Sequence, residues 1–424
     1  MYVLYSFLVF LSLLYYLPAT VWKLKIRRGE KLHLKERFGL SFSLPSPEGT
    51  SIWLHAVSVG EVLSLQTLIR ALKSRHPDWT IYCSALTNSG YTVAGSKLGE
   101  ADHIFYVPFD FAWIARKFFK RIQPRLFILA ESEFWPNLLR TARRHAGGVL
   151  LVNGRISDRT GRRFRRFRCL VRPLLGNIDR FLVQTAPDGS RLQAVGISGD
   201  RIRVVGNLKA DIQLPPMNGE NAAVLRSELN CPPVAVVLLA GSVHVGEDVT
   251  VLKAYAESRD KRPELRLIIA PRHLDRVEVI DSLCIQMGFR VVRRTGEEPA
   301  RDWDVFIIDT IGELARFYAV CDIAFLGGSL IPWGGQNFLE PAFYGKPIVF
   351  GPHMKNFAVL AARFIENDAA VVVQDGAALS RVWSEGTKSE WKKTGERARM
   401  TLDSLRGATE KTVKEIEAFI ENNL

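Results

Sequence analysis

Metal-binding and disulfide frameworks are the first things missing from this chain. Its 424 residues hold five cysteines, Cys83, Cys169, Cys231, Cys284 and Cys321, an odd number and widely scattered. No C-x-x-C pair occurs, so neither a zinc ribbon nor a disulfide scaffold is indicated, and a reducing compartment fits. Low-complexity sequence is missing too, since 20 prolines and 32 glycines are ordinary usage. There is no G-x-x-x-x-G-K-[ST], which excludes a P-loop NTPase. There is no G-x-G-x-x-G after the first expected strand, which disfavours a dinucleotide oxidoreductase. Neither a G-x-S-x-G elbow nor an H-E-x-x-H helix is present.

Charge is missing from residues 1–22, MYVLYSFLVFLSLLYYLPATVW. That is about the length that crosses a bilayer. No basic region precedes it and no A-x-A site follows, so it does not read as a cleaved signal peptide. Lys23–Arg37 then carries seven Lys/Arg against two Glu. Basic residues flank the cytoplasmic side of an anchor and attract anionic lipid. The expectation is an uncleaved anchor helix over 1–22 with the rest of the chain in the cytoplasm. A buried first helix of the globular part is the alternative, and Pro18 also allows a helix that enters the membrane without spanning it.

The rest of the chain has a globular composition, 47% hydrophobic and 24% charged, and length for two domains. The net charge of +13 implies a polyanionic partner: nucleic acid, an anionic membrane face or a phosphorylated substrate. Short apolar runs recur at Ile52–Val57, Thr80–Ala85, His103–Val107, Arg125–Ala130, Val149–Asn153, Phe181–Gln184 and Arg201–Val205. Helix-like stretches such as Glu61–Arg75 and Asn137–His145 separate them. The runs are near-continuous rather than alternating, as expected of parallel strands buried on both faces. The rhythm breaks at Asp211–Asn230, with its two prolines, and restarts at Val234–Ala240, Leu265–Ala270, Arg290–Arg293, Val305–Ile308, Ile323–Leu326, Pro347–Phe350 and Ala370–Val373. This predicts two Rossmann-like lobes, 23–210 and 231–424, joined by a linker over 211–230. The last stretch, Ser389–Leu424, is predicted as helical and part of the second lobe.

Ligands in open α/β sheets bind at the carboxyl ends of strands. The first strand runs into His55-Ala56-Val57-Ser58-Val59-Gly60-Glu61, with Glu61 in the first turn of a helix. The positive helix end favours an ionised carboxylate, which can act as a general base. Ser58-x-x-Glu61 is equally a capping box. Glu131-Ser132-Glu133 closes a later strand, with Pro136 suited to a helix start. Arg162–Arg172 holds six arginines, no acid, and Phe164 and Phe167 between them. Such a run suits single-stranded nucleic acid, a membrane interface, or a plain solvated face. In the second lobe, Gly241-Ser242, Pro271-Arg272-His273, Asp309–Leu314 and Gly327–Pro341 form loops at strand ends whose backbone N–H groups suit phosphate. Together they indicate a nucleotide site. Asp302-Trp303-Asp304 imitates a metal-binding D-x-D but sits at the amino end of its strand and reads as solvated surface.

These motifs together resemble the 3-deoxy-octulosonate (Kdo) transferases of lipopolysaccharide synthesis. The carriers are H-A-V-S-V-G-E at 55–61, E-S-E-F-W-P-N at 131–137, N-G-R-I-S at 153–157, G-N-L-K at 206–209, P-R-H at 271–273 and G-G-S-L-x-P-x-G-G-x-N-x-L-E-P at 327–341. They run in family order across nearly the whole chain. The family more often has Thr at Ser132, Leu at Phe134 and His at Gln336. The resemblance implies a GT-B fold, with acceptor on the first lobe and CMP-Kdo on the second. It implies metal-independent transfer with inversion to a phosphorylated lipid A precursor at the bacterial inner membrane, with no cofactor and no nucleic-acid partner. Glu61 looks like the general base. Glu131 and Lys209 look like transition-state stabilisers. Pro271, Arg272, Gly312, Glu313, Leu314, Asn337, Phe338, Leu339 and Glu340 look like contacts to CMP. A GT-B enzyme using a UDP-sugar and a lipid carrier is the competing expectation, and a membrane-tethered nucleic-acid-binding protein is a more distant one.

Overall fold

The computed structural model describes residues 2–22, 32–41, 44–47, 49–217, 219–232, 234–296 and 302–423, with side chains of the first helix described through residue 16. The chain divides into two compact units, 2–211 with 405–423 and 212–404, the division following Asp211.

Among the described residues of the first unit, a seven-stranded parallel sheet runs in the order β3-β2-β1-β4-β5-β6-β7. Its strands are β1 (Ser51–Ala56), β2 (Thr80–Ala85), β3 (His103–Tyr106), β4 (Leu126–Ala130), β5 (Gly148–Gly154), β6 (Arg180–Val183) and β7 (Ile202–Val204). Every residue of β1, β4 and β5 is buried, which is why those runs do not alternate. Helices cover both faces, so the apolar side chains form two layers. Ile52, Leu54 and Ile128 point into one, and Trp53, Phe127 and Leu129 into the other.

The second unit repeats the plan. Among its described residues the order is β10-β11-β9-β8-β12-β13-β14. These strands are β8 (Val236–Val243), β9 (Leu265–Pro271), β10 (Val291–Arg293), β11 (Val305–Ile307), β12 (Ile323–Leu326), β13 (Ile348–Phe350) and β14 (Ala370–Val372). All pair in parallel. The two parallel-sheet, Rossmann-like lobes of a GT-B enzyme are therefore present, each strand within a few residues of its expected place.

Three boundaries differ from the sequence reading. The C-terminal helix Ala408–Asn423 belongs to the first unit, not the second. Ala408, Val413, Ile416 and Phe419 join the first core layer, the last three each contributing roughly 1.5–3 kcal/mol of transfer free energy at full burial. Gly148 lacks the Cβ that would strike the Phe419 ring. Asp211 accepts the N–H groups of Gly407 at 2.7 Å and Thr409 at 2.5 Å, and His76 meets Glu417 at 2.8 Å. A tail of ordinary amphipathic periodicity carries no sign of which unit it covers. Second, the expected linker contains a helix of its own, Gly219–Glu228.

Third, residues Tyr2–Trp22 form one helix, but among the described residues no helix is long and apolar enough to cross a membrane. One side of it is tied to the first unit. Ser6 receives a hydrogen bond from Asn137 Nδ2 at 3.0 Å, Tyr2 takes Asn177 Nδ2 at 3.2 Å, and Arg140 stacks on the Tyr2 ring. The other side exposes Val3, Leu4, Phe7, Leu8, Phe10, Leu11, Leu14, Tyr15 and Tyr16. The basic stretch expected behind it lies outside the described residues over 23–31. Its far end is not lipid-facing: Arg37 is buried over Tyr106.

Candidate active site

Strand order reverses in the first sheet between β1 and β4, the point at which open α/β sheets bind ligands. Glu61 follows β1 and Glu131 follows β4, so the two carboxylates flank that point. Ser58 caps the helix Val59–Arg75, accepting from the Glu61 N–H at 3.4 Å. Glu61 returns the bond from its side chain: Oε1 accepts from Ser58 Oγ at 3.0 Å and Oε2 from the Val57 N–H at 2.8 Å. It caps, therefore, but it does more. Burial raises its pKa to about 7, with Glu133 and Glu131 adding to the rise against the hydrogen bonds of Val57 and Ser58. The expectation that the helix end keeps Glu61 ionised is corrected here: desolvation outweighs the favourable field.

Glu131 sits in the left-handed region at φ 58°, a conformation costing roughly 1–3 kcal/mol for a residue with a Cβ. That turn aims its carboxylate at Lys209, whose Nζ lies 2.8 Å from Oε1. Lys209 is in turn held by a buried amide network. Asn153, also at positive φ, accepts the Leu208 N–H at 3.1 Å. Asn207 donates to Gln184 Oε1 at 3.1 Å, Gln184 donates to the Asn153 backbone carbonyl at 3.0 Å, and Asn207 Oδ1 accepts the Lys209 N–H at 3.0 Å. The N-G-R and G-N-L-K motifs thus meet in space, 55 positions apart in sequence. Glu133 accepts from the Trp135 indole at 3.1 Å. His55 is fully buried and pushed down to about 4 by burial, so it is a weak proton acceptor shut away from the surface.

In the second unit the expected donor contacts lie at the carboxyl ends of β9, β11 and β12. Pro271 ends β9 and is buried; Arg272 follows, exposed, and among the described residues its guanidinium has no partner. Gly312, at φ 91°, and Glu313 precede the helix Leu314–Tyr318 after β11. Glu313 is held well below the ordinary carboxylate range by the Thr310 hydroxyl and by Arg294 and Arg316. After β12, Asn337 donates to Glu340 Oε1 at 3.1 Å and accepts the Leu339 N–H at 3.1 Å. Phe338 and Leu339 are buried, with Phe338 packed on Phe350, Phe357 and Phe364. Only their backbone can face a ligand.

Two residues of this unit were not singled out in the sequence. Glu247, fully buried, accepts the N–H groups of Gly328 at 2.6 Å, Leu330 at 2.9 Å, Ser329 at 3.1 Å and His244 at 3.4 Å. It is the template on which the Gly327–Leu330 loop folds. Burial raises its pKa against those four hydrogen bonds. His244 stacks on Trp333 and lies 2.8 Å from Gln336 Nε2. Burial, Arg272 and His273 lower its pKa, which favours the neutral ring beside Gln336.

Among the described residues no group of three or more His, Cys, Asp or Glu is arranged to hold a metal ion. The D-W-D segment is solvated surface only at Asp302, which is exposed; Trp303 and Asp304 are buried. Asp304 is buried between Arg259 at 2.5 Å and Arg290 at 2.8 Å, and the Trp303 indole donates to the Leu229 carbonyl at 2.6 Å. It fastens one sheet edge to the helix below it.

The arginine-rich segment forms the helices Asp158–Arg166 and Arg168–Leu175. Phe164 turns inward against Phe134, whereas Phe167 and Leu170 remain exposed.

Residues 32–212 match the family model described as 3-deoxy-D-manno-octulosonic-acid transferase (kdotransferase). The chain is 30% identical over 399 residues to the 3-deoxy-D-manno-octulosonic acid transferase of Haemophilus influenzae, covering 92% of each chain. It is 30% identical over 414 residues to that of Bordetella pertussis, covering 94% of this chain and 95% of the relative. Its fold is similar to that of a glycosyltransferase from Rickettsia africae, with a TM-score of 0.58 and 14% identity over 89% of this chain and all of that one. A UDP-GlcNAc 2-epimerase from Neisseria meningitidis shares it at a TM-score of 0.59 and 11% identity, over 87% and 100% of the two chains.

Proposed function

The chain belongs to the 3-deoxy-D-manno-octulosonic acid transferase family, and from that premise we propose how it works as a glycosyltransferase. The enzyme transfers Kdo. The donor is CMP-Kdo, the acceptor a phosphorylated lipid A precursor, and the setting lipopolysaccharide core synthesis on the cytoplasmic side of the bacterial inner membrane. The observation that carries the catalytic reading is Glu61, a buried carboxylate with a pKa of about 7 at the reversal point of the first sheet.

The reaction is a single displacement. Glu61 takes the proton of the acceptor hydroxyl while that oxygen attacks the anomeric carbon of Kdo. The bond to the CMP phosphate breaks with its electron pair, and CMP leaves. Attack opposite the leaving group inverts the anomeric configuration. A base poised near neutral pH is strong enough to take a proton and weak enough to release it afterwards. Lys209, steered by Glu131, supplies positive charge where the donor's carboxylate and phosphate are negative. Arg272 and the N–H groups around Gly312–Leu314 and Asn337–Glu340 hold the CMP, and the lone guanidinium of Arg272 grips its phosphate. Phe338 and Leu339 contribute through backbone alone.

The N-terminal helix seats the enzyme on the membrane. Its apolar face lies in the interface while Ser6 and Tyr2 hold the opposite face to the first unit. Phe167, Leu170 and the arginines beside them extend the same kind of surface. The direct test is transfer from CMP-Kdo to a tetraacyl lipid A precursor, with UDP and CMP compared as competitors. Inhibition by CMP alone supports the donor assigned here; inhibition by UDP alone contradicts it.

A further inference from the structure

A surface cavity of ≈ 590 Å³ opens in the first unit between the helices Asp158–Arg166 and Ala186–Gln193. Its walls carry three guanidiniums, those of Arg162, Arg165 and Arg191, against one carboxylate, Asp158. They are not equivalent. Arg191 is fixed: it binds Asp158 at 2.5 Å and the Ile156 carbonyl at 2.9 Å, and the buried carboxylate of Asp188 lies 3.6 Å from it. Gly161 makes that possible, because a Cβ there would stand 3.1 Å from the Arg191 stem. Asp158 is thereby neutralised. Arg162 and Arg165 are exposed, and among the described residues they have no hydrogen-bond or ion-pair partner. The two unpaired positive charges of Arg162 and Arg165 match the −1.5 to −2 of a phosphate monoester near neutral pH better than the single charge of a carboxylate. Pro187 and Ala194 give the cavity an apolar wall suited to the C–H face of a sugar ring.

Position narrows the ligand further. The two helices follow β5 and β6, at the carboxyl edge that also presents Glu61. From β1 to β6 is three strand steps in the sheet order, roughly 15 Å. That is the reach of a phosphorylated disaccharide whose hydroxyl sits at Glu61.

We propose that the cavity between Arg162, Arg165 and Arg191 binds a phosphate monoester on the sugar of the acceptor, setting which hydroxyl reaches the base. The assignment rests on the transferase reading above and names a site for its acceptor. The test uses the full chain and the Arg162→Gln/Arg165→Gln double variant, whose exposed side chains take no part in the core. Titration calorimetry compares a glucosamine disaccharide bearing a phosphate monoester with the same disaccharide lacking it. The wild type favours the phosphorylated sugar by about tenfold or more, as expected for charge-assisted hydrogen bonds, and the variant binds both alike. In the transfer assay the variant's KM for phosphorylated acceptor rises about as much, with the KM for CMP-Kdo unchanged. An equal phosphate preference in wild type and variant overturns the proposal. So does a variant that loses only its binding to phosphatidylglycerol vesicles or to inorganic phosphate. A wild type that transfers no Kdo contradicts the reaction, while the calorimetric comparison still decides the cavity.

Discussion

Lys209 Nζ lies 2.8 Å from Glu131 Oε1, joining the end of β4 to the loop after β7 across two intervening strands. The pair is about one-fifth exposed on each side, too wet for its attraction to dominate folding. Yet Glu131 holds a strained backbone to make it, and an amide network of four residues positions the lysine. Strain kept for a weak ion pair points to chemistry rather than stability.

Lys209→Met and Glu131→Gln are therefore expected to lower kcat about 10²–10³-fold, as for loss of a preorganised charge, while thermal unfolding moves little. Steady-state transfer and a melting curve on the same samples check both halves. A large fall in melting temperature with activity in proportion would make the pair structural.

As the proposed base, Glu61 acts in its ionised form, so kcat/KM should rise about tenfold per pH unit up to about 7 and then level off. Glu133 and Glu131 push its pKa up, so Glu133→Gln moves that break to lower pH. The same shift carries a stability cost. The folded protein holds this proton more tightly than the unfolded chain, whose value is 4.5, so stability falls as pH rises from 4.5 to about 7. The span corresponds to roughly 3 kcal/mol for a fully desolvated group. Urea titrations at pH 5 and pH 8 should show Glu61→Gln gaining on the wild type at the higher pH. An identical pH dependence in the two proteins would contradict the raised pKa.

Glu247→Ala leaves the N–H groups of Gly328, Ser329 and Leu330 buried without their acceptor. The expected loss is about 3–5 kcal/mol, with a raised KM for CMP-Kdo if the protein remains folded. Glu247→Gln keeps an acceptor and should recover part of both. Denaturant midpoints and donor KM values for the two variants give the comparison.

Placing one aspartate at Leu8 and one at Leu11, both on the exposed face of the first helix, should reduce co-sedimentation with anionic vesicles. Transfer to a short-chain, water-soluble acceptor should survive. Unchanged sedimentation would remove this helix from membrane attachment.

The strands were legible because parallel strands buried on both faces are near-continuous apolar runs; Leu126–Ala130 and Leu267–Ala270 are short runs of that kind. Glu61 was legible as a residue but not as a charge state. Its cap is a local pattern, whereas its burial comes from distant packing. Glu247 was invisible for a similar reason. In sequence it is one acid of a Gly-Glu-Asp turn, and three of its four partners lie 81 to 83 residues later. Asp304 and Asp110 were missed alike. Asp110 caps the helix Pro136–His145 through the N–H groups of Asn137 and Leu138 from 27 and 28 positions away. The C-terminal helix shows the limit most plainly, since the residues that say where it docks, such as Gly148, Asp211 and His76, lie about 200 positions or more away in sequence.

The central claim is that Glu61 takes the acceptor proton. The decisive measurement is transfer from CMP-Kdo to a tetraacyl lipid A precursor by the wild type and by Glu61→Gln, with chelator present. The glutamine keeps an oxygen for the Val57 N–H, so the helix start survives. Transfer by the wild type is expected, with a fall of about 10²–10⁴-fold in the variant at unchanged donor affinity. A variant that transfers Kdo at near wild-type rate would return Glu61 to the role of a helix cap.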